Sequence, residues 1–407
     1  MDRMPTQPII SGVTTASRTE AWGAVFALTL CVSTLVASEF MPVSLLTPIA
    51  TDLRLTEGEA GQAISVSGIF AVLTSLVIAS ATQRIDRRVL LLGLTVLMLA
   101  SGLLVALAPN FTLFLAGRAL VGMVIGGFWS MSAATVMRLV PEADVPRALA
   151  VLNGGNALAT VVAAPLGSFL GEYIGWRGAF FGVVPLAAIT FLWQFATLPP
   201  MPSRPRGRIT GPIGLLRRPQ VPLGIAAVTL FFAGQFALFT YLRPFLETVT
   251  GVNGGALSLI LLVIGLSGLL GTWLIGGFLK TRLTGTLIAL PLAMAVIALG
   301  LIGLGTSSIA ATALLALWGL VGTAAPVAWW TWLSRTLPDD AEAGGGLMVA
   351  VVQLAITAGA AGGGLMFDAS GYQAAFAMSA TTLAASAAVA FLSSRAACRT
   401  GRPIPAT

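Results

Sequence analysis

The sequence predicts an all-α polytopic membrane protein, with twelve transmembrane helices arranged as two six-helix bundles. Three observations carry this. The 407 residues are 57% hydrophobic and only 9% charged, with a mean hydropathy of +0.93, a composition suited to lipid. Apolar runs of the about 20 residues needed to cross a hydrocarbon core of about 30 Å recur along the chain. A Pro-, Gly- and Arg-rich stretch at 199–221 breaks helical continuity and divides those runs evenly. The same composition excludes other classes. With no His and only two Cys, acid/base chemistry on His, His-built zinc sites and cysteine clusters lack their residues. Neither an enzyme nor a metal site is expected. The formal charge of +7 arises from Lys and Arg scattered through short loops, without the clustered face that nucleic acid would require.

In chain order, residues 1–21 form a polar tail. The following run is too long for a signal-peptide core and lacks a clear small-residue cleavage site, so the tail is expected to be retained. The first bundle, 22–198, takes spans at 22–49, 58–82, 88–108, 111–137, 146–171 and 177–198. After the central loop 199–221, the second bundle, 222–394, takes spans at 222–246, 255–279, 284–304, 308–334, 343–367 and 372–394, and 395–407 forms a tail. Positive loops are retained in the cytoplasm. With the N-terminus inside, eighteen Lys and Arg fall in inner segments and three, Arg54, Arg177 and Arg243, in outer ones. Both termini and the central loop are therefore expected in the cytoplasm. Cys31 lies in the first span and Cys398 in the tail, and no disulfide is expected between them.

An internal repeat supports the two bundles. ALVGMVIGGFW in the fourth span matches GLVGTAAPVAWW in the tenth, aligning Gly122 with Gly322, Gly126 with Pro326 and Trp129 with Trp329. GWRGAF from Gly175 likewise matches GYQAAF from Gly371. Duplicated bundles facing a central cavity are a recurrent transporter plan.

Charges inside spans are costly and become functional candidates. Glu39 is the one acidic residue well inside a predicted span, and Arg118 the one basic residue. At 1.5 Å per residue, Glu39 lies about 15 Å and Arg118 about 10 Å from the outer ends of their spans. Two readings fit: a proton-binding carboxylate tuned by a nearby guanidinium, or charges held structurally as an ion pair or in a polar cavity. Gln235 lies about 20 Å from the inner start of span seven, and its amide could pair with a neutral polar solute. Asn156 and Gln353 are further substrate candidates; all three could instead bond across helices. Trp129, Trp329 and Trp330, near the inner ends of their spans, are expected in an aromatic interface belt.

These residues sit in recognisable strings. Arg118 with Gly122 and Gly126 resembles the fourth-span motif of the major facilitator superfamily, in its drug:proton antiporter branch, where the arginine is assigned to proton coupling. Pro165, Gly167 and Gly171 resemble the fifth-span antiporter motif, with Ala164 where Gly is usual. Small residues let helix backbones approach, and Pro165 favours a bend. QRIDRR at 83–88 resembles the conformational hinge after span two, keeping Arg84, Arg87 and Arg88. Gln83 stands where Asp is frequent and Asp86 where Gly is, which puts the family's inner charge latch in question. The repeat places Trp318 opposite Arg118 and Ala361 opposite Pro165, confining this chemistry to the first half.

Together EFMPVSLLTPIA (39–50), GGFWSMSA (126–133), MRLVP (137–141), APLGSFLGEYIGWR (164–177) and FAGQFALFTYLRP (232–244) resemble the bacterial purine ribonucleoside exporters of that branch. Two of the strings also resemble sugar-efflux and chloramphenicol-resistance relatives. The resemblance implies a bacterial inner-membrane antiporter that exports inosine, guanosine and analogues in exchange for protons. The proton gradient would supply the energy, with no cofactor. Expected partners are the small-molecule substrate, protons and membrane lipids, with no obligate protein partner. Broader drug or sugar efflux and a non-transporting membrane sensor are the alternatives. A sensor should carry a soluble domain or a long signalling loop, and the 23-residue central loop is too short for one.

Overall fold

In lipid every backbone amide must be satisfied by the protein itself, so a chain this apolar has helices or a closed barrel open to it. The computed structural model describes residues 18–81, 85–202, 212–218, 221–337 and 341–399, and the described residues form no strands. The first half comprises α1 (Arg18–Ser44), α2 (Leu46–Leu53), α3 (Glu57–Ala81), α4 (Arg87–Ala106), α5 (Phe111–Leu139), α6 (Val145–Phe181) and α7 (Val183–Thr197). A four-residue α8 (Pro212–Leu215) lies in the central connection. The second half comprises α9 (Val221–Phe239), α10 (Leu242–Thr248), α11 (Gly254–Thr281), α12 (Leu283–Leu304), α13 (Ser308–Thr336) and α14 (Ala341–Arg399). Short polar links start several helices by capping the first-turn amides. Asn110 accepts from Leu113 N at 3.0 Å and Asn253 from Ala256 N at 2.9 Å.

Among the described residues, ten stretches are long and apolar enough to cross a membrane, and two of them run to 51 and 52 residues. Each long stretch contains one glycine in a backbone region that essentially only glycine enters: Gly175 (φ 73°, ψ 165°) and Gly371 (φ 76°, ψ −174°). Each glycine turns the chain between two crossings, giving twelve. The sequence anticipates several-residue turns at both places; a single residue at matched positions of the repeat does the work. Conversely, the anticipated continuous spans 22–49 and 222–246 are each broken. Leu45 (φ −118°, ψ 12°) separates α1 from α2, and Tyr241 (φ −103°, ψ 18°) precedes α10.

Small residues let the helices of each half approach closely. A Cβ at Gly122 or Gly126 of α5 would collide with the Ser67 or Ala71 carbonyl oxygen of α3, and one at Gly319 of α13 with the Ile264 carbonyl of α11. Two large apolar clusters result, one within the first half and one centred on the second that also takes in Val43, Ile64 and Ala164 of the first, and a third gathers at the end remote from the central connection. Trp329 corrects one expectation. It is 2% exposed and packs edge-on to Trp332 rather than facing the membrane interface. Trp330 does face outward, and Trp129 is half-buried against Phe128. Hydropathy positions a residue along the membrane normal but does not say which face of its helix it occupies.

Candidate functional site

The site begins with a missing amide. Pro42 has no N–H to offer the carbonyl four residues earlier, so the Ser38 oxygen of α1 is released from the helix ladder. Arg118 of α5, with no exposed surface, takes it: Nη1 donates to Ser38 O at 2.8 Å. Nη2 donates to Ser67 Oγ at 3.2 Å and Glu39 O at 3.4 Å, and Nε to Ala63 O at 3.4 Å. The guanidinium thus ties α1 to α3 through neutral acceptors near the C-terminal end of α1, where carbonyl dipoles favour a cation. Arg118 and Glu39 come together, but through the glutamate's backbone. No ion pair joins their side chains, so a structural salt bridge is not what holds them.

The half-buried Glu39 carboxylate turns instead to the opposite half, where Gln353 Nε2 of α14 donates to Oε1 at 3.2 Å. The polar track continues through Thr357, whose hydroxyl donates to Gln353 O at 2.8 Å, and Ser65 Oγ donates to Thr357 O at 3.2 Å. Beside Glu39 is a small cavity walled by Phe40 and Ser67 from one half and Phe236, Gln353 and Ile356 from the other. It has room for about one water molecule. Phe40 stacks on Phe236, ring centres 6.2 Å apart. The carboxylate therefore sits at the seam between halves, next to space for water.

Of the residues that resemble the antiporter motif, Gly167 and Gly171 lie beside the break after α1. A Cβ at Gly167 of α6 would approach Ser44 Oγ to 2.7 Å, and one at Gly171 would meet the Leu45 side chain, so these glycines make room for the break. Pro165 releases the Val161 carbonyl, which faces Gly265 of α11 in the other half. Gln235 projects from α9 toward Gly322 of α13. Asn156, half-buried on α6, is not part of the cluster around Glu39. Gln353, anticipated as a substrate contact, is the partner of the carboxylate.

In the expected hinge at 83–88, of which Gln83 lies outside the described residues, Asp86 and Arg88 bond to the segment 195–201 at the end of the sixth span. Asp86 caps α4 at Arg88 N, 2.7 Å away, and accepts from Met201 N at 2.9 Å, while Arg88 donates to Phe195 O at 2.7 Å. Arg87 N donates to Met201 O at 3.1 Å. Arg84 lies outside the described residues.

Sequence reasoning missed the contacts at the end remote from the central connection. There Asp368 of α14 accepts from Thr56 Oγ1 at 2.6 Å and from Gly58 N at 2.9 Å, capping α3 from the opposite half. Arg243 of α10 bonds the Ser44 carbonyl of α1 and Glu247 Oε1, the latter at 2.8 Å. Reading Arg243 as a loop charge concealed this: it is 9% exposed. Its i,i+4 spacing to Glu247 was the available signal.

Comparison with known proteins agrees with this architecture. The sequence matches the Major Facilitator Superfamily over residues 26–351. It is 59% identical over 379 residues to a protein of Pseudomonas aeruginosa named transcription regulatory protein OpdE, covering 92% of this chain and 94% of the relative. It is 44% identical over 362 residues to the purine ribonucleoside efflux pump NepI of Escherichia coli K12, covering 89% and 91%. Among solved structures, an inward-facing bacterial homologue of the human lysosomal transporter Spinster superposes with a TM-score of 0.74 at 18% identity, covering 94% of this chain and 99% of that one. The chain is a multi-pass membrane protein that belongs to the major facilitator superfamily.

Proposed function

We propose that this protein is a proton-coupled antiporter of the bacterial inner membrane, with both termini cytoplasmic, that exports purine ribonucleosides such as inosine and guanosine. The observation that carries the reading is Glu39, a carboxylate at the seam between halves whose partner, Gln353, belongs to the other half. A carboxylate accepts that hydrogen bond as an ion, and protonation weakens it. The bond between halves thereby depends on the proton. Arg118 holds the end of α1 through backbone carbonyls and sets the field around the carboxylate without neutralising it by contact. The 44% identity to a purine ribonucleoside efflux pump supports the substrate class. So does the second half's interior, which offers a solute the neutral amide of Gln235.

Everted membrane vesicles containing the overexpressed protein test this. Respiration acidifies their lumen, and radiolabelled inosine should accumulate until a protonophore collapses the gradient. Uptake equal to that of control vesicles, or indifferent to the protonophore, would overturn the proposal. The first outcome would favour the regulatory reading suggested by the name of the Pseudomonas relative. Stronger export of cationic dyes or sugars than of nucleosides would favour the broader efflux reading. For topology, a cysteine placed in the central loop should resist impermeant reagents in intact cells, and labelling there would reverse the orientation.

A further inference from the structure

The two halves carry matched positions with different chemistry. EFMPVSLLTP at 39–48 repeats as QFALFTYLRP at 235–244, in the register that also pairs Gly175 with Gly371. Phe40 falls on Phe236, Pro48 on Pro244, and the break at Leu45 on the break at Tyr241, with nearly the same backbone angles. Phe40 and Phe236 stack on each other, so the pseudo-two-fold axis passes between them. Glu39 and Gln235, each preceding its phenylalanine, therefore flank that axis. Across the corresponding helices, Arg118 is matched by Trp318, both essentially without exposed surface.

Their hydrogen bonding differs. Arg118 has partners on α1 and α3, helped by the carbonyl that Pro42 releases. The second half has Leu238 in place of Pro42 and an indole in place of the guanidinium. There Gln235 Oε1 and Trp318 Nε1 are both buried with no hydrogen-bond partner. The Gln235 amide lies against Gly322, where a Cβ would come within 3.0 Å of Nε2. Gly322 is one turn along α13 from Trp318, on the same face, so the amide packs on the face of α13 that also carries the indole. Buried polar groups left unpaired cost free energy and are few in native proteins, which makes an orphaned acceptor and an orphaned donor at the second half's counterparts of Glu39 and Arg118 a specific observation.

Resting on the transport reading above, we infer that Gln235 and Trp318 form the subsite that holds the hydrogen-bonding edge of the transported solute, opposite Glu39 across the axis. The indole N–H only donates and requires an acceptor; Gln235 Oε1 accepts and requires a donor. A neutral group with a carbonyl beside an N–H, such as the lactam edge of a 6-oxopurine, supplies both. The subsite is sealed in this conformation, and rocking of the second half against the first would open it. An indole satisfies a carbonyl without adding charge, so this side of the cavity selects a neutral solute and leaves the proton to the other.

The test compares KM values for inosine and for purine riboside, which lacks both the 6-oxygen and the N1 hydrogen, in everted vesicles normalised to folded transporter. Trp318→Phe removes the donor and should raise the inosine KM roughly tenfold, the effect of about one hydrogen bond. The purine riboside KM should stay within about twofold, because that solute never used the donor, and the pH dependence of uptake should not change. Gln235→Leu, at a half-buried position that tolerates substitution better, should lose the same discrimination. An equal change for both solutes, or no change in either variant, would overturn the subsite while leaving the transport reading intact. Absence of nucleoside uptake by the unmodified protein would overturn both.

Discussion

At two matched positions the first half carries charges and the second half neutral polar groups: Glu39 against Gln235, and Arg118 against Trp318. The backbones around them break and turn in the same places, at Leu45 and Tyr241 and at Gly175 and Gly371. The scaffold has thus kept its repeat while the chemistry has divided. What makes a buried guanidinium tolerable in one half is the local supply of acceptors, beginning with the carbonyl freed by Pro42. The second half has Leu238 in place of Pro42 and so no carbonyl freed in that way, and an uncharged donor occupies the position.

The comparison breaks most severely if a charge is placed where no proline frees a carbonyl to receive it. Trp318→Arg should destabilise the protein by about 3–5 kcal/mol, the usual effect of an uncompensated buried charge, and thermal unfolding in detergent should reveal it as loss of folded protein. The complementary change is milder. Arg118→Lys keeps the charge but cannot reproduce the planar fork that reaches α1 and α3 together, and should lower stability by about 1.5–3 kcal/mol in the same assay. Transport should fall further than folded protein does, because the end of α1 that bears Glu39 loses its anchor.

The shared scaffold is sharpened by a paired test. Gly175→Ala and Gly371→Ala each force a side chain into a backbone region it avoids, and each should lower stability on the order of 1 kcal/mol or somewhat more. Similar losses in the two halves are expected; a large loss in one alone would mean that the matched geometry does not reflect matched function. The smallest effect is expected at the remote end. Asp368→Asn keeps the shape of the cap on α3 but removes its charge, an effect of about 0.3–1 kcal/mol. A cysteine at Thr56 should then be labelled measurably faster by impermeant reagents. Unchanged labelling would mean that Asp368 does not help hold the halves together there.

The twelve crossings and the repeat are legible in the sequence because hydropathy and spacing are properties of neighbouring residues. Glu39 and Arg118 are legible because ionisable groups inside apolar runs stand out. Their partners are not. Arg118 bonds mostly to backbone carbonyls, which carry no sequence signature, and Gln353 reaches Glu39 from 314 positions away along the chain. The helix breaks at Leu45 and Tyr241 escape notice because neither residue is a helix breaker; Pro42, three residues before the first, was the available hint. Trp329 and Arg243 were misplaced for one reason, that distance along the membrane normal does not reveal which side of a helix a residue faces.

The central claim is that Glu39 carries the exchanged proton while the second half holds the solute. The most direct measurement compares Glu39→Gln with the unmodified protein in everted vesicles, using inosine uptake driven by a pH gradient and inosine counterflow without one, both normalised to folded transporter. The account predicts that the variant loses driven accumulation and its pH dependence but retains counterflow, since glutamine can still accept from Gln353 but cannot exchange a proton. Driven accumulation near the unmodified level, with unchanged pH dependence, would contradict it.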